Sequence, residues 1–124
     1  MPETPGLQPR DTPGSPPPNT PVAVITGANS GIGRAATLLL AKAGYHIYAT
    51  VRGLGKADKL LAKAGSEGIA DRITLVEMDV ADSASVTRGF AEIFAATDRI
   101  DVLVNNAGVG GNSVTEERSE EHTV

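Results

Sequence analysis

A chain of 124 residues has room for one modest domain, and a formal net charge of -4 without a basic cluster argues against nucleic acid as its main partner. The absence of cysteine excludes disulfides and thiolate metal sites. No apolar stretch approaches the roughly 20 residues of a membrane span, and no apolar core follows a basic N-terminus as in a signal peptide, so the expectation is a cytoplasmic protein that does not enter the membrane.

The chain opens on MPETPGLQPRDTPGSPPPNTP, which holds all 8 prolines and, besides Met1, one large apolar residue, Leu7. Such a segment cannot bury enough surface to offset its ordering entropy, so residues 1–20 are expected to be a disordered, proline-rich tail. Folding should begin at residue 21. Val22 to Ile25 is short, apolar and rich in β-branched residues, the signature of a central parallel strand. Gly27, Gly31 and Gly33 then turn the chain into a helix, whose apolar face is expected to be Ile32, Ala35, Ala36, Leu39, Leu40 and Ala43, with Gly44 at its C-terminus. Tyr45 to Val51 reads as the second strand. A Gly53 to Gly55 turn leads to a helix with Leu54, Ala57, Leu60, Leu61 and Ala64 on one side, ended by Gly65 and Gly68. Ile73 to Met78 is the third strand, and Asp82 can cap a helix whose inner face is Val86, Phe90, Ile93 and Phe94. The fourth strand is Ile100 to Val104.

Strand and helix alternate three times, which demands parallel strands, right-handed crossovers and helices on both faces. The expected fold is therefore α/β, a doubly wound parallel sheet of the Rossmann type with about four strands in the order 3-2-1-4. Ligands of such sheets sit at the carboxyl ends of the strands, beside the point where strand order reverses. The glycine loop falls there. Its backbone N–H groups, unobstructed by Cβ atoms and placed at a helix N-terminus with a favourable dipole, suit a pyrophosphate.

The glycine spacing is G-x-x-x-G-x-G, and Thr26-Gly27-Ala28-Asn29-Ser30-Gly31-Ile32-Gly33 resembles the cofactor loop of the short-chain dehydrogenase/reductase family. Asp79-Val80 after the third strand and Asn105-Asn106-Ala107-Gly108 after the fourth also resemble that family. The resemblance implies an NAD(P)-binding domain over residues 21–124, incomplete at its C-terminus, in which the Asp contacts the adenine and the Asn-Asn-Ala-Gly segment steadies the central sheet near the nicotinamide end. A tight turn, a strand-capping Asp and an Asx-rich turn are ordinary alternatives taken singly. Four motifs in family order are not.

The end of the second strand bears on cofactor choice, because an acid roughly 20 residues past the glycine loop would hydrogen-bond an NAD ribose. Val51 stands there and Arg52 follows. A guanidinium suits a 2′-phosphate through charge-assisted hydrogen bonds, so the expected cofactor is NADP in preference to NAD, with Arg34 and the Ser30 hydroxyl assisting.

In the family a Tyr transfers the proton, a Lys four residues later lowers its pKa, and a Ser polarises the carbonyl. The tyrosines here are Tyr45 and Tyr48, both on the second strand, and the last lysine is Lys63. Tyr48 and Arg52 imitate the spacing, yet an i, i+4 pair shares a helical face only on a helix. No catalytic residue is therefore assigned, and no metal site; His46 and His122 are taken as structural or incidental. The chain runs through an acidic stretch, Glu116 to Glu121, to Val124, and its ending reads as a truncation, frameshift or alternative isoform of a longer enzyme. The expected role is the NADP-binding portion of an oxidoreductase acting between alcohols and carbonyls. The alternatives are a non-catalytic nucleotide-binding or interaction protein and a non-functional gene fragment. The fourth strand, apolar on both faces, should form an exposed edge open to self-association.

Overall fold

Four runs rich in Val, Ile and Thr form one parallel sheet: β1 (Val22–Thr26), β2 (His46–Val51), β3 (Ile73–Glu77) and β4 (Val102–Val104). The computed structural model describes residues 15–29 and 31–106. The sheet order is β3-β2-β1-β4, as the alternation of elements implies. Register runs Val22↔His46 to Thr26↔Thr50 between β1 and β2, and Ile47↔Ile73 to Val51↔Glu77 between β2 and β3. Strand order reverses at β1, between β2 and β4.

Helices α1 (Gly31–Lys42) and α2 (Asp58–Ser66) cover one face of the sheet, α3 (Ser83–Ala96) the other. The strand pleat divides each run between these two cores. Ala23, Ile25, Ile47, Ala49 and Val51 point toward Ala41 of α1 and Leu60 and Ala64 of α2. Val22, Val24, Tyr48 and Val76 meet Ile93 and Ala96 of α3. Both faces of β1 and β2 are thereby buried, which explains why these strands read as continuous apolar runs.

The helix ends follow local chemistry. Gly44, at φ 105, closes α1 in a Schellman turn in which Tyr45 N donates to Leu40 O at 3.0 Å and Gly44 N to Ala41 O at 3.1 Å. Gly68, at φ 75, closes α2 the same way, with Ile69 N on Ala64 O at 3.0 Å. Gly65 instead lies inside α2. Asp82 caps α3, its Oδ1 accepting from Ala84 N at 3.0 Å and Ser85 N at 3.4 Å.

The helix faces differ from those expected. On α1 the buried residues are Gly33, Thr37 and Ala41, whereas Ile32 and Leu39 are 76% and 67% exposed. On α3 they are Ser85, Gly89, Ile93 and Ala96, while Phe94 is 53% exposed and Val86 and Phe90 are half-buried. Leu54 precedes α2, in a single 3₁₀ turn over 54–56, and it and Leu61 are exposed. The reason is common to both long helices: a helix that lies close on a sheet presents its smallest residues at the point of nearest approach. A Cβ on Gly89 would stand 2.5 Å from Met78 Cε, the movable end of a flexible side chain, and 3.4 to 3.5 Å from Met78 Cβ and Glu77 O, so the helix lies close to the end of β3 there. Thr37 hides its polarity by donating to Gly33 O at 2.8 Å.

The start of the sheet is fastened by Asp101, which donates its N–H to Val22 O at 2.8 Å and accepts Val22 N on Oδ2 at 2.8 Å. Arg99 bridges Asp101 Oδ2 at 3.1 Å and Thr20 O at 3.2 Å. Residues 15–20 therefore touch the domain, and Pro16 is buried. Residues 1–14 of the expected tail lie outside the described residues, as do the acidic stretch and His122. Among the described residues no helix is long and apolar enough to cross a membrane.

Candidate functional site

The carboxyl ends of β1, β2, β3 and β4 lie at one edge of the parallel sheet, where the glycine loop leaves β1 between β2 and β4. Gly27 has φ 65 and Gly31 φ 49, conformations that glycine adopts without the Cβ penalty. Gly33 has a different task. A Cβ built there would lie 2.2 Å from Gly27 O and 2.7 Å from Asn106 Nδ2, so its absence lets the first turn of α1 seat against the loop it closes. Around Gly31 a Cβ would meet nothing within 4 Å. The loop thus has one tightly packed side and one open side, and the first amides of α1, which have no intrahelical acceptor, belong to it. Ile32, 76% exposed, stands beside them.

The loop is held from both neighbouring strands. Ala28 is fully buried and donates its N–H to Thr50 O at 3.0 Å, extending the β1–β2 pairing past the end of β1. On the other side Asn106 N donates to Thr26 Oγ1 at 2.8 Å, and Asn106 Nδ2 to Gly27 O at 3.2 Å. The Thr26 hydroxyl also has Asn105 Oδ1 at 3.3 Å and Val104 O at 3.5 Å. The residues after β4 therefore lock the loop after β1, across the place where strand order reverses. Asn29 is clasped as well: Arg34 Nη1 donates to its carbonyl at 2.9 Å, and its own Nδ2 donates to Lys56 O at 3.4 Å. The Arg34 guanidinium, expected to assist at a phosphate, braces the loop backbone.

Beyond β3, Asp79 N donates to Ser85 Oγ at 2.8 Å and Ala81 N donates to Asp79 Oδ1 at 3.0 Å. One carboxylate oxygen thus shapes its own turn, and Val80 is exposed beside it. Arg52, one residue past β2, is exposed, and among the described residues no hydrogen bond or ion pair engages it. Thr26, Gly27, Asn29, Gly31, Ile32, Gly33, Arg52, Asp79, Val80, Asn105 and Asn106 are all at this end of the sheet. Ser30, Ala107 and Gly108 lie outside the described residues.

Tyr48 does not belong to the site. It is 1% exposed in the middle of β2 among Val22, Val24, Val76 and Ile93, and burial pushes its hydroxyl up to about 12. That is opposite to what proton transfer near neutral pH requires. Among the described residues no group of three or more His, Asp or Glu could hold a metal ion.

Sequence reasoning missed the Asn106–Gly33 contact and Ser85. The first had a signal, since a glycine two residues into a helix calls for a close neighbour. Ser85 had none, because a serine in the first turn of a helix ordinarily faces water.

Residues 21–124 match the family model described as short chain dehydrogenase. The uncharacterized oxidoreductase YusZ of Bacillus subtilis (strain 168) is 36% identical over 104 residues, covering 84% of this chain and 36% of that protein. Farnesol dehydrogenase of Aedes aegypti is 40% identical over 88 residues, covering 71% and 36%. Among solved structures, a metagenomic short-chain oxidoreductase in complex with NADP superposes with a TM-score of 0.65 at 34% identity, covering 73% of this chain and 40% of that one. The N-domain of a bacterial malonyl-CoA reductase with NADP gives 0.67 at 33% identity, covering 73% and 17%. The chain spans about a third of the length of the curated relatives it matches, 36% for both named here.

Proposed function

This chain belongs to the short-chain dehydrogenase family, and we propose that it forms the NADP-binding portion of an oxidoreductase that exchanges hydride between the cofactor and an alcohol or carbonyl carbon. The observation that carries this is the seating of Gly33 against Gly27 and Asn106, which leaves a backbone cradle open on one side and rigid on the other. Gly27, Asn29, Ser30, Gly31, Ile32 and Gly33 would hold the pyrophosphate, and Asp79 and Val80 the adenosine. Asn105, Asn106, Ala107 and Gly108 would line the nicotinamide end. When bound, the nicotinamide supplies the hydride donor or acceptor. The chain's own contribution is to bind and orient. Tyr48 lies on β2 and Tyr45 just before it, and proton transfer is assigned to neither.

The choice of NADP over NAD rests on Arg52. No acid terminates β2, and the guanidinium is exposed beside the cradle, as a 2′-phosphate would require. Two solved relatives carry NADP. Replacing Arg52 by alanine should weaken NADPH binding by about 1.5 to 3 kcal/mol, the range for a charged hydrogen bond, and leave NADH nearly unchanged in parallel calorimetric titrations. Equal losses for both cofactors would sink the assignment.

A second reading, an interaction module that self-associates, is favoured by one feature. Among the described residues β4 pairs on one side alone, and Leu103 on it and Phe94 on α3 are exposed. An apolar edge strand offers unpaired backbone groups to another chain. Sedimentation velocity over a wide concentration range should show association that Leu103→Lys reduces; a monomer throughout would rule it out.

A further inference from the structure

The 2′-phosphate assignment leaves one cation at the same corner without a role. After Arg52 the chain makes a single 3₁₀ turn, Leu54–Lys56, closed by Lys56 N on Gly53 O at 2.9 Å. The turn brings Lys56 back to the glycine loop, where its carbonyl accepts Asn29 Nδ2 at 3.4 Å. Its side chain folds over the same turn: a Cβ placed on Gly53 would sit 3.7 to 3.8 Å from Lys56 Cγ, Cδ and Cε. The aliphatic stem therefore lies across the residue that follows Arg52, and the backbone is tied to the loop expected to hold the pyrophosphate. Lys56 is exposed and forms no ion pair among the described residues.

The charge distribution supports an anion at this corner. Between Asp11 and Asp58 the sequence holds no acidic residue, although the chain as a whole is acidic, and Arg34, Lys42, Arg52 and Lys56 fall within that stretch. Lys42 pairs with Glu67 at 2.8 Å, and Arg34 uses one N–H to brace Asn29 O. Arg52 and Lys56 are the two exposed cations of the stretch that follow β2. The nearest acids, Asp58 in sequence and Glu77 in register with Val51, pair with neither among the described residues.

We propose that Lys56 is the second cation of the 2′-phosphate site, carried to Arg52 by the 54–56 turn and held at the cradle through Asn29. This rests on the NADP reading above. A dianionic phosphate flanked by a guanidinium and an ammonium is neutralised from two sides, one by a planar fork and one by a point charge. The turn keeps both on one short segment, so they approach the phosphate together.

The test titrates the full chain with adenosine 2′,5′-bisphosphate and with adenosine 5′-monophosphate, which differ in the 2′-phosphate alone. The unaltered chain should prefer the bisphosphate. Lys56→Gln should narrow that preference about five- to tenfold, just under the range for a charged hydrogen bond because the position is exposed, and flatten its salt dependence. Affinity for the monophosphate should not change, and Lys56→Arg should restore most of the preference. Lys56→Gln leaving the preference intact while Arg52→Gln collapses it would overturn the role of Lys56 and keep the NADP reading. No preference in the unaltered chain would overturn that reading itself, and this inference with it.

Discussion

Replacing Gly33 by alanine should abolish dinucleotide binding and cost about 3 kcal/mol of stability, at or above the upper end of ordinary overpacking effects. The new methyl would stand 2.2 Å from Gly27 O and 2.7 Å from Asn106 Nδ2. The first of these is backbone on the fastened loop, so no rotamer change relieves it; either the first turn of α1 lifts away or the Gly27 turn moves. Each breaks the lock between the loops after β1 and β4. Gly55→Ala is the control, since a Cβ there meets nothing within 4 Å and its φ is not positive. It should shift stability by less than about 0.5 kcal/mol. Urea titration and NADPH binding on both variants measure the effects, and a Gly33→Ala chain as stable and as competent as the original would refute the packing account.

The second large expectation is negative. Presented with NADPH and a panel of carbonyl compounds, the isolated chain should show turnover near background. A positioned proton donor is worth roughly 10² to 10⁴ in rate, and orientation of the substrate supplies several kcal/mol more. The candidate tyrosine with family-like spacing, Tyr48, is buried in the core with its pKa pushed up to about 12, and Arg52, one residue past the end of β2, lies about 13 Å further along the extended chain at roughly 3.3 Å per residue. Neither residue can take the roles of the family's Tyr and Lys. NADPH absorbance followed with the chain and with a Gly31→Asp variant separates true turnover from contaminating reductases. Substrate-dependent oxidation that disappears in the variant would mean that a proton donor operates within these 124 residues.

Much of the site could be read from the sequence because its determinants are local. Gly27 and Gly31 announce positive φ, Gly44 and Gly68 close helices, and Asp82 caps one, each within a few residues of the bond it makes. The helix faces could not be read so well. Periodicity ranks residues by apolar size and placed Ile32, Leu39 and Phe94 inward, whereas the packing chose Gly33, Thr37, Gly89 and Ala96. Several phases of α1 look amphipathic, since apolar residues occupy most of its circumference. Only the partner surface distinguishes among them.

What the sequence by itself determined is the order and kind of the elements, and with them the parallel sheet. Short β-branched runs alternating with helical spans leave right-handed crossovers as the one economical connection, and the order 3-2-1-4 with its reversal at β1 follows. What only the tertiary structure decided is which side chains meet across that reversal. Thr26 and Gly27 come to Asn106 from 80 and 79 residues away in the chain, and Gly33 closes on it from the first turn of α1. Asn29 comes to Lys56 through a turn whose path no local propensity specifies. The strength of such contacts depends on tenths of an ångström in how a helix settles on a sheet, and that distance is set by all the side chains between them at once.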